Sequence, residues 1–165
     1  FMRYSKNDIN FLGSMNCWGW GTWKNRWSNL MLNEKNLISN FSKKNIHHFN
    51  IFSSMNHFEQ IIRNKKKTLS SWAVFWHATI FKNNGICIYP KFSLVKNIGF
   101  DGSGRMSSRD KYRSILNNNY NNFKINSKII KNKNLINAEF NYYIKRKSII
   151  GRLLVYIKKF YFSII

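Results

Sequence analysis

Residues 71–90 read SWAVFWHATIFKNNGICIYP, a helical pattern followed by a strand pattern. Apolar side chains recur in its first part at intervals of three and four residues, which predicts a core-facing helix over residues 71–82. The shared stripe contains Trp72, Phe75, Trp76, Thr79 and Ile80. Ser70 precedes the pattern as a candidate N-cap, and Asn83-Asn84-Gly85 follows it as a C-terminal stop.

Working outward from this helix, the neighbouring segments predict further short elements. Residues 86–89 predict a strand that ends at Pro90. Ser93-Leu94-Val95 is a candidate for another strand, and it leads into a glycine-containing turn at residues 97–104. Upstream, residues 55–63 predict a helix with Phe58, Ile61 and Ile62 turned inward. Helices alternating with short strands indicate an α/β fold.

Residues 17–27, CWGWGTWKNRW, place four tryptophans close together and interleave them with glycine. Tryptophan packs in ordinary cores and interfaces, and that interpretation stays open. Glycine also lets the backbone approach a ligand closely, and indole faces stack on the C–H surfaces of sugars. The pattern slightly favours a binding surface.

The chain has 165 residues, with 28 Lys or Arg against 6 Asp or Glu, and a formal net charge of +22. Hydrophobic residues make up 44%, which excludes a disordered polycation and predicts a packed core. Asn, Ile and Lys are abundant and belong to A/T-rich codons, so the charge is a weak functional signal. The basic residues are spread along the chain without a nucleic-acid-binding motif, which disfavours nucleic acid as a partner.

Residues 144–165 predict a basic amphipathic helix. Its apolar side consists of Ile150, Leu153, Leu154, Ile157, Phe160, Tyr161 and Ile164. Such a helix fits an anionic membrane surface. It could equally dock on the domain and leave its charges in water, and the sequence keeps both interpretations open.

Side chains for acid–base or metal chemistry are scarce. The carboxylates are Asp8, Glu34, Glu59, Asp101, Asp110 and Glu139. They form no D-x-D motif, and neither the histidines nor Cys17 and Cys87 have metal-ligand spacing, so we expect no metal site within the chain. Asp101 lies in the glycine-containing turn, where it either stabilises the turn or lines a cleft. Gly102-Ser103-Gly104 could contact a phosphate, although a tight turn is the simpler interpretation.

Four segments together resemble the C-terminal half of the family 2, GT-A type, bacterial glycosyltransferases. They are CWGWGTWKNRW (17–27), Phe49-Asn50, SWAVFW (71–76) and YPKFSLVKNIGFDGSG (89–104), in this order and at similar spacing. The resemblance covers about residues 10–105. It implies an incomplete GT-A domain, a Rossmann-like nucleotide-diphospho-sugar transferase fold, over residues 1–104, followed by a basic tail with an amphipathic helix over 105–165.

The resemblance also implies a function and a site. Such enzymes transfer a sugar, with inversion, from a nucleotide-diphosphate donor to a saccharide or lipid-linked acceptor in surface polysaccharide or lipopolysaccharide synthesis. The acceptor side would consist of Trp18, Gly19, Trp20, Trp23, Ser71, Trp72 and Asp101. The donor-phosphate side would consist of Lys96, Asn97, Gly102 and Gly104. A donor half whose D-x-D motif holds Mg²⁺ or Mn²⁺ would precede Phe1.

Three parts of the sequence depart from the family pattern. Ser70 stands where the family has the aspartate that deprotonates the acceptor, and a serine hydroxyl is no general base near neutral pH. Phe75 replaces an arginine, and Arg105-Met106-Ser107 replaces Thr-His-Cys. The catalytic base is therefore unknown, and the fragment alone is expected to be inactive.

Three functions remain from the sequence. The first is the glycosyltransferase fragment, the second a non-catalytic basic module that binds nucleic acid or anionic membrane, and the third an inactive glycosyltransferase remnant. No apolar run reaches the ~18–20 residues of a membrane span, and no signal peptide precedes residue 17. We therefore expect a cytoplasmic protein, with peripheral attachment at the inner face of the membrane as an option.

Overall fold

The computed structural model describes residues 8–96, 98, 116 and 133–164. Within these residues the chain forms seven helices and one two-stranded sheet, so α and β structure are mixed. The helices are α1 (Lys24–Trp27), α2 (Glu34–Ser39), α3 (Lys43–Phe49), α4 (His57–Lys65), α5 (Ala73–Lys82), α6 (Lys133–Ile144) and α7 (Ile149–Ile164), and the strands are β1 (Ile9–Leu12) and β2 (Cys87–Pro90). Two strands are too few to test a GT-A fold, which stays a prediction.

Helix α5 confirms the helix predicted from residues 71–82, although it begins two residues later. The prediction that Ser70 caps it is wrong, because Trp72 occupies the N-cap position and makes no side-chain capping bond. The predicted stop is confirmed: Asn84 adopts a left-handed φ of 50°, and the Gly85 amide donates to the Ile80 carbonyl at 2.7 Å. Every residue from Val74 to Thr79 is buried, so the middle of α5 is enclosed on all sides and not only along one stripe.

Strand β2 confirms the predicted strand, and its partner β1 was not predicted. The two strands are antiparallel, with Ile9 opposite Pro90 and Leu12 opposite Cys87. Pro90 is tolerated because it is the last residue of a strand at the sheet edge. Ser93 forms only an isolated bridge to Leu116, so the strand predicted at 93–95 is absent from the described residues.

The main core lies among α2, α3, α4 and α5. Its buried hydrophobic residues are Leu37, Phe41, Phe49, Ile61, Val74, Phe75 and Ala78. Helix α4 confirms the helix predicted at residues 55–63, with Ile61 fully buried and Phe58 packed partly against the core. This core holds α5 in place and so positions the tryptophans at its N-terminal end.

The connection from α3 to α4 contains three consecutive left-handed residues, Ile51, Phe52 and Ser53, with φ of 51°, 54° and 61°. None is glycine, so each conformation costs about 1 kcal/mol or more. The Ser53 amide donates to the His47 carbonyl at 3.0 Å, and the Met55 amide donates to the Asn50 carbonyl at 2.8 Å. These bonds hold the turn, which carries Phe52 to the C-terminal helices.

The C-terminal helix predicted over residues 144–165 is confirmed as α7, but it begins five residues later than predicted. Ile144 ends α6, and α7 begins at Ile149. Ser148 causes the new start, since its hydroxyl accepts a hydrogen bond from the Gly151 amide at 3.1 Å, as an N-cap does. A second small core joins these helices through Phe140, Ile144 and Val155, with Phe52 packed against it.

Candidate functional site

Four indole rings from two separate segments pack together, and we call them the tryptophan cluster: Trp20, Trp27, Trp72 and Trp76. The ring centroids of Trp20 and Trp72 are 5.3 Å apart, and those of Trp27 and Trp76 are 5.1 Å apart. Trp20 also lies 5.5 Å from Trp27 and 6.2 Å from Trp76. The segment 17–27 therefore packs on the start of α5, and these are two of the segments on which the family resemblance rests.

Local structure explains why the rings converge. Trp72 and Trp76 are four residues apart at the beginning of α5, so their side chains lie on the same face. Trp27 ends α1, and its amide donates to the carbonyl of Trp23 at 3.0 Å. The Met31 amide then donates to the Thr79 hydroxyl at 2.9 Å and fastens this segment to α5.

The cluster is partly open to solvent. Trp76 is buried and Trp20 is half-buried, whereas Trp27 and Trp72 keep 39% and 45% of their surface exposed. A cluster that served only as core would be covered on both sides. This one has a buried floor, and its two most exposed rings offer apolar surface and N–H donors to a ligand.

Gly19 connects this surface to the segment near residue 95. It adopts a φ of +58°, and a Cβ added there would lie 2.2 Å from Val95 Cγ1 and 2.9 Å from Val95 Cβ. Only a residue without a side chain fits both this backbone conformation and this approach. The tryptophan-containing segment thus touches the residue that precedes Lys96.

The predicted acceptor-side residues are in part brought together. Trp20 and Trp72 are in ring contact, and Gly19 is adjacent to Trp20. Trp18 is 47% exposed and Trp23 is 69% exposed, so both side chains lie at the protein surface. Ser71 has a structural partner, because its amide donates to Asn64 Oδ1 at 2.9 Å.

Of the residues predicted to form the donor-phosphate side, the structure describes only Lys96. Lys96 is exposed. Asp101, Asn97, Gly102 and Gly104 lie outside the described residues, so the prediction that Asp101 faces the tryptophans across one pocket stays a prediction.

Two cluster members were missing from the predicted site. Trp76 was interpreted as core, and Trp27 as part of the motif without a role. The spacing of four residues between Trp72 and Trp76 is the signal that would have added Trp76. Trp27 joins the cluster through the fold of residues 17–27, which its own spacing does not predict.

The position of the family's catalytic aspartate lies beside this surface. Ser70 is exposed and two residues before Trp72. Phe75, at the position of the family's arginine, is buried in the main core. The position that the resemblance assigns to a catalytic carboxylate therefore holds a hydroxyl group.

No family model, curated protein or solved structure matches the chain. The surface is therefore interpreted from its geometry and from the residues that carry the resemblance.

The histidines belong to the packing of the main core and its border. His57 Nδ1 and His77 Nε2 both donate to the Phe49 carbonyl, at 3.1 and 3.2 Å. Burial lowers the pKa of His77 to about 3, and it also lowers the pKa of His57. Both rings are neutral at pH 7. Over the described part of the chain, no three His, Cys, Asp or Glu residues are grouped to hold a metal ion.

A second polar cluster joins β2 to α6. The Ser14 hydroxyl donates to Glu139 Oε1, and the Tyr89 hydroxyl donates to the Ser14 carbonyl at 2.9 Å. Burial raises the pKa of Glu139 to about 7, and burial together with Glu139 raises the pKa of Cys87 to about 11. With Cys87 protonated at neutral pH, the cluster serves as a hydrogen-bonded contact between these elements.

Proposed function

We propose that the chain is the acceptor-side part of an inverting glycosyltransferase of the family 2, GT-A type, and that the tryptophan cluster binds the saccharide acceptor. The observation that carries this proposal is the ring contact between Trp20 and Trp72 at 5.3 Å. It joins the two aromatic segments whose combination resembles the family, and it does so at a partly exposed surface. The acceptor is a saccharide, free or lipid-linked.

Stacking suits this task. The C–H face of a pyranose is flat and apolar, and it packs on an indole ring as another apolar group would. Trp27 and Trp72 offer such faces over the buried floor of Trp76. Because neither stacking nor the indole N–H bond depends on a formal charge on the protein, binding to a neutral sugar should persist at high salt.

The proposed reaction defines what this chain supplies. The acceptor oxygen attacks the anomeric carbon of the donor, a C–O bond forms, the bond to the diphosphate breaks, and a base takes the acceptor proton. Ser70 cannot act as that base near neutral pH. The chain therefore binds and orients the acceptor, and the exposed Lys96 is a candidate for the phosphate side. The metal ion that the resemblance implies belongs to a D-x-D motif that this sequence lacks.

Saccharide binding tests the proposal directly. The chain is applied to an array of bacterial surface oligosaccharides, and a neutral ligand found there is titrated while tryptophan fluorescence is followed. Trp72→Ala should weaken the Kd about tenfold, corresponding to ~1.4 kcal/mol for one lost stacking contact. Tyr161→Ala is the matched control, because Tyr161 is a comparably exposed aromatic residue on α7.

The salt dependence separates this function from a basic binding module. Neutral-saccharide binding that is unchanged between low and high salt, and weakened by Trp72→Ala only, supports the proposal. If the chain binds only polyanions, with a steep dependence on salt, phosphate contact is the function. If saccharides bind equally to Trp72→Ala and to the unaltered chain, the tryptophan cluster is not the site.

A further inference from the structure

Helix α7 exposes a continuous apolar surface. We call it the α7 stripe, and its members are Ile149, Ile150, Leu153, Leu154, Tyr156, Ile157, Phe160, Tyr161 and Ile164. Four of them keep 69–84% of their surface in solvent: Ile149, Ile150, Phe160 and Ile164. Since successive residues turn by about 100° in a helix, these nine cover roughly 160° of its circumference. Exposed apolar surface of this extent is characteristic of an interaction site.

The opposite side of α7 holds the helix on the domain. Val155 is buried against Phe140 and Ile144. The ring of Phe162 lies 4.6 Å from that of His47, and the ammonium group of Lys159 lies 4.0 Å from the centroid of Phe140. The stripe is the more apolar side of α7, yet the side that packs on the domain is the opposite one, which contains Val155 and Phe162. The docked side and the stripe point about 180° apart, so the stripe faces directly away from the main core.

Basic residues surround the stripe. Lys158 borders one edge and Arg152 the other, and Lys145, Arg146 and Lys147 come just before the helix. Arg152 also donates to the carbonyl oxygens of Lys145 and Lys147, at 2.8 and 3.0 Å, and keeps these residues at its N-terminal end. No acidic residue occurs in 140–165. The charge around the stripe is therefore entirely positive.

The length of α7 and the charge around its stripe distinguish between two partners for this surface, a second copy of the chain and a lipid bilayer. None of the described helices has the length and apolar character to cross a bilayer. With 16 residues, α7 is about 24 Å long and can lie in the interfacial plane instead. A second copy of this chain would bring positive borders together on molecules of net charge +22, whereas anionic lipid headgroups complement them.

We infer that α7 binds the surface of an anionic membrane, with its stripe inserted at the boundary between headgroups and acyl chains and its basic residues on the headgroups. This inference is independent of the saccharide proposal, because it uses neither the tryptophan cluster nor its ligand.

Vesicle co-sedimentation tests the inference. The chain is mixed with large vesicles of phosphatidylcholine alone, or of phosphatidylcholine with one-third phosphatidylglycerol. Binding should be stronger to the anionic vesicles. The double variant Leu153→Gln/Ile157→Gln should lower the affinity at least about tenfold, because two apolar side chains no longer enter the lipid.

Matched variants separate lipid insertion from other causes. Leu32→Gln/Leu94→Gln changes two comparably exposed leucines elsewhere and should bind as the unaltered chain does. Lys158→Gln should weaken binding to anionic vesicles about fivefold and leave binding to phosphatidylcholine unchanged. Far-UV circular dichroism verifies that each variant is folded.

Three outcomes would overturn the inference. One is the absence of binding to anionic vesicles. Another is equal binding by Leu153→Gln/Ile157→Gln and the unaltered chain, which would mean attraction by charge without insertion. The third is a dimer in sedimentation equilibrium that this double variant dissociates, without vesicle binding, which would assign the stripe to contact between copies of the chain.

Discussion

The contact between Gly19 and Val95 can be tested by adding a single methyl group. In Gly19→Ala the new Cβ would lie 2.2 Å from Val95 Cγ1 and 2.9 Å from Val95 Cβ. Rotation of the valine side chain moves Cγ1 but not Cβ, so the backbone must shift. A left-handed alanine costs about 1 kcal/mol, and overpacking adds about 1–3 kcal/mol. Gly19→Ala should therefore lower the free energy of unfolding by at least about 2 kcal/mol.

Urea unfolding followed by tryptophan fluorescence measures this change. Gly21→Ala is the matched control, because nothing lies within 4 Å of a Cβ at Gly21, and its stability should change by less than about 0.5 kcal/mol. Adding Val95→Ala to Gly19→Ala removes the closest carbon and should restore about 1 kcal/mol. If Gly19→Ala and Gly21→Ala are equally stable, the tryptophan-containing segment does not meet the segment at residue 95, and the reasoning is refuted.

Three further predictions concern stability. Lys67 is exposed with a φ of 57°, so Lys67→Gly should raise the free energy of unfolding by about 1 kcal/mol, whereas Lys66→Gly, at a φ of −78°, should lower it. Urea midpoints that shift in the same direction in both variants would contradict this prediction. Because the pKa of Glu139 is raised from 4.5 to about 7, the stability contributed by its protonated carboxyl group is lost as the pH rises. The unfolding free energy of Glu139→Gln, relative to that of the unaltered chain, should therefore increase by roughly 2 kcal/mol between pH 5 and 8. A difference in urea unfolding that does not change with pH would argue against a buried carboxyl group. Because the pKa of His77 is lowered from 6.5 to about 3, the stability that neutral His77 contributes is present above pH 6.5 and is lost as the pH falls. Relative to His77→Phe, the unaltered chain should therefore lose roughly 2 kcal/mol of unfolding free energy from pH 7 to 5 in thermal unfolding, and a difference that stays constant with pH would disprove this.

Elements defined by local patterns were predictable. Helices α4 and α5 follow from apolar spacing, and the end of α5 follows from Asn83-Asn84-Gly85. Strand β1 was missed because its stability comes from pairing with β2, nearly eighty residues away, and four residues carry little periodic signal of their own. The start of α5 was misplaced because the cap rule favours serine, while Trp72 takes that position without a capping bond.

The C-terminal helix illustrates a limit of periodicity. The apolar side of α7 was correctly identified, since its spacing alone defines it. Which side meets the domain depends on the surface that receives the helix. Here Val155 packs in the small core with Phe140 and Ile144, against which Phe52 also packs. The ring of Phe162 contacts the ring of His47. No pattern within residues 144–165 contains that information.

The candidate site was predictable only in part, because local motifs identify aromatic residues but do not encode the contacts between distant segments. The aromatic motifs singled out Trp20 and Trp72, which are in contact. Their convergence with Trp27 and Trp76 depends on how residues 17–27 fold back on α5, fastened by the hydrogen bond from Met31 to Thr79. That contact spans 48 residues and is not encoded in either motif alone.

The central claim is that the tryptophan cluster is a saccharide-binding surface. The six tryptophans give six indole N–H signals in a ¹H–¹⁵N spectrum, and each can be assigned by a Trp→Phe variant. During titration with a neutral oligosaccharide that binds, the signals of Trp20, Trp27 and Trp72 should shift together, with that of Trp23 unchanged. Binding that leaves these three signals in place, or moves Trp23 instead, would contradict the claim.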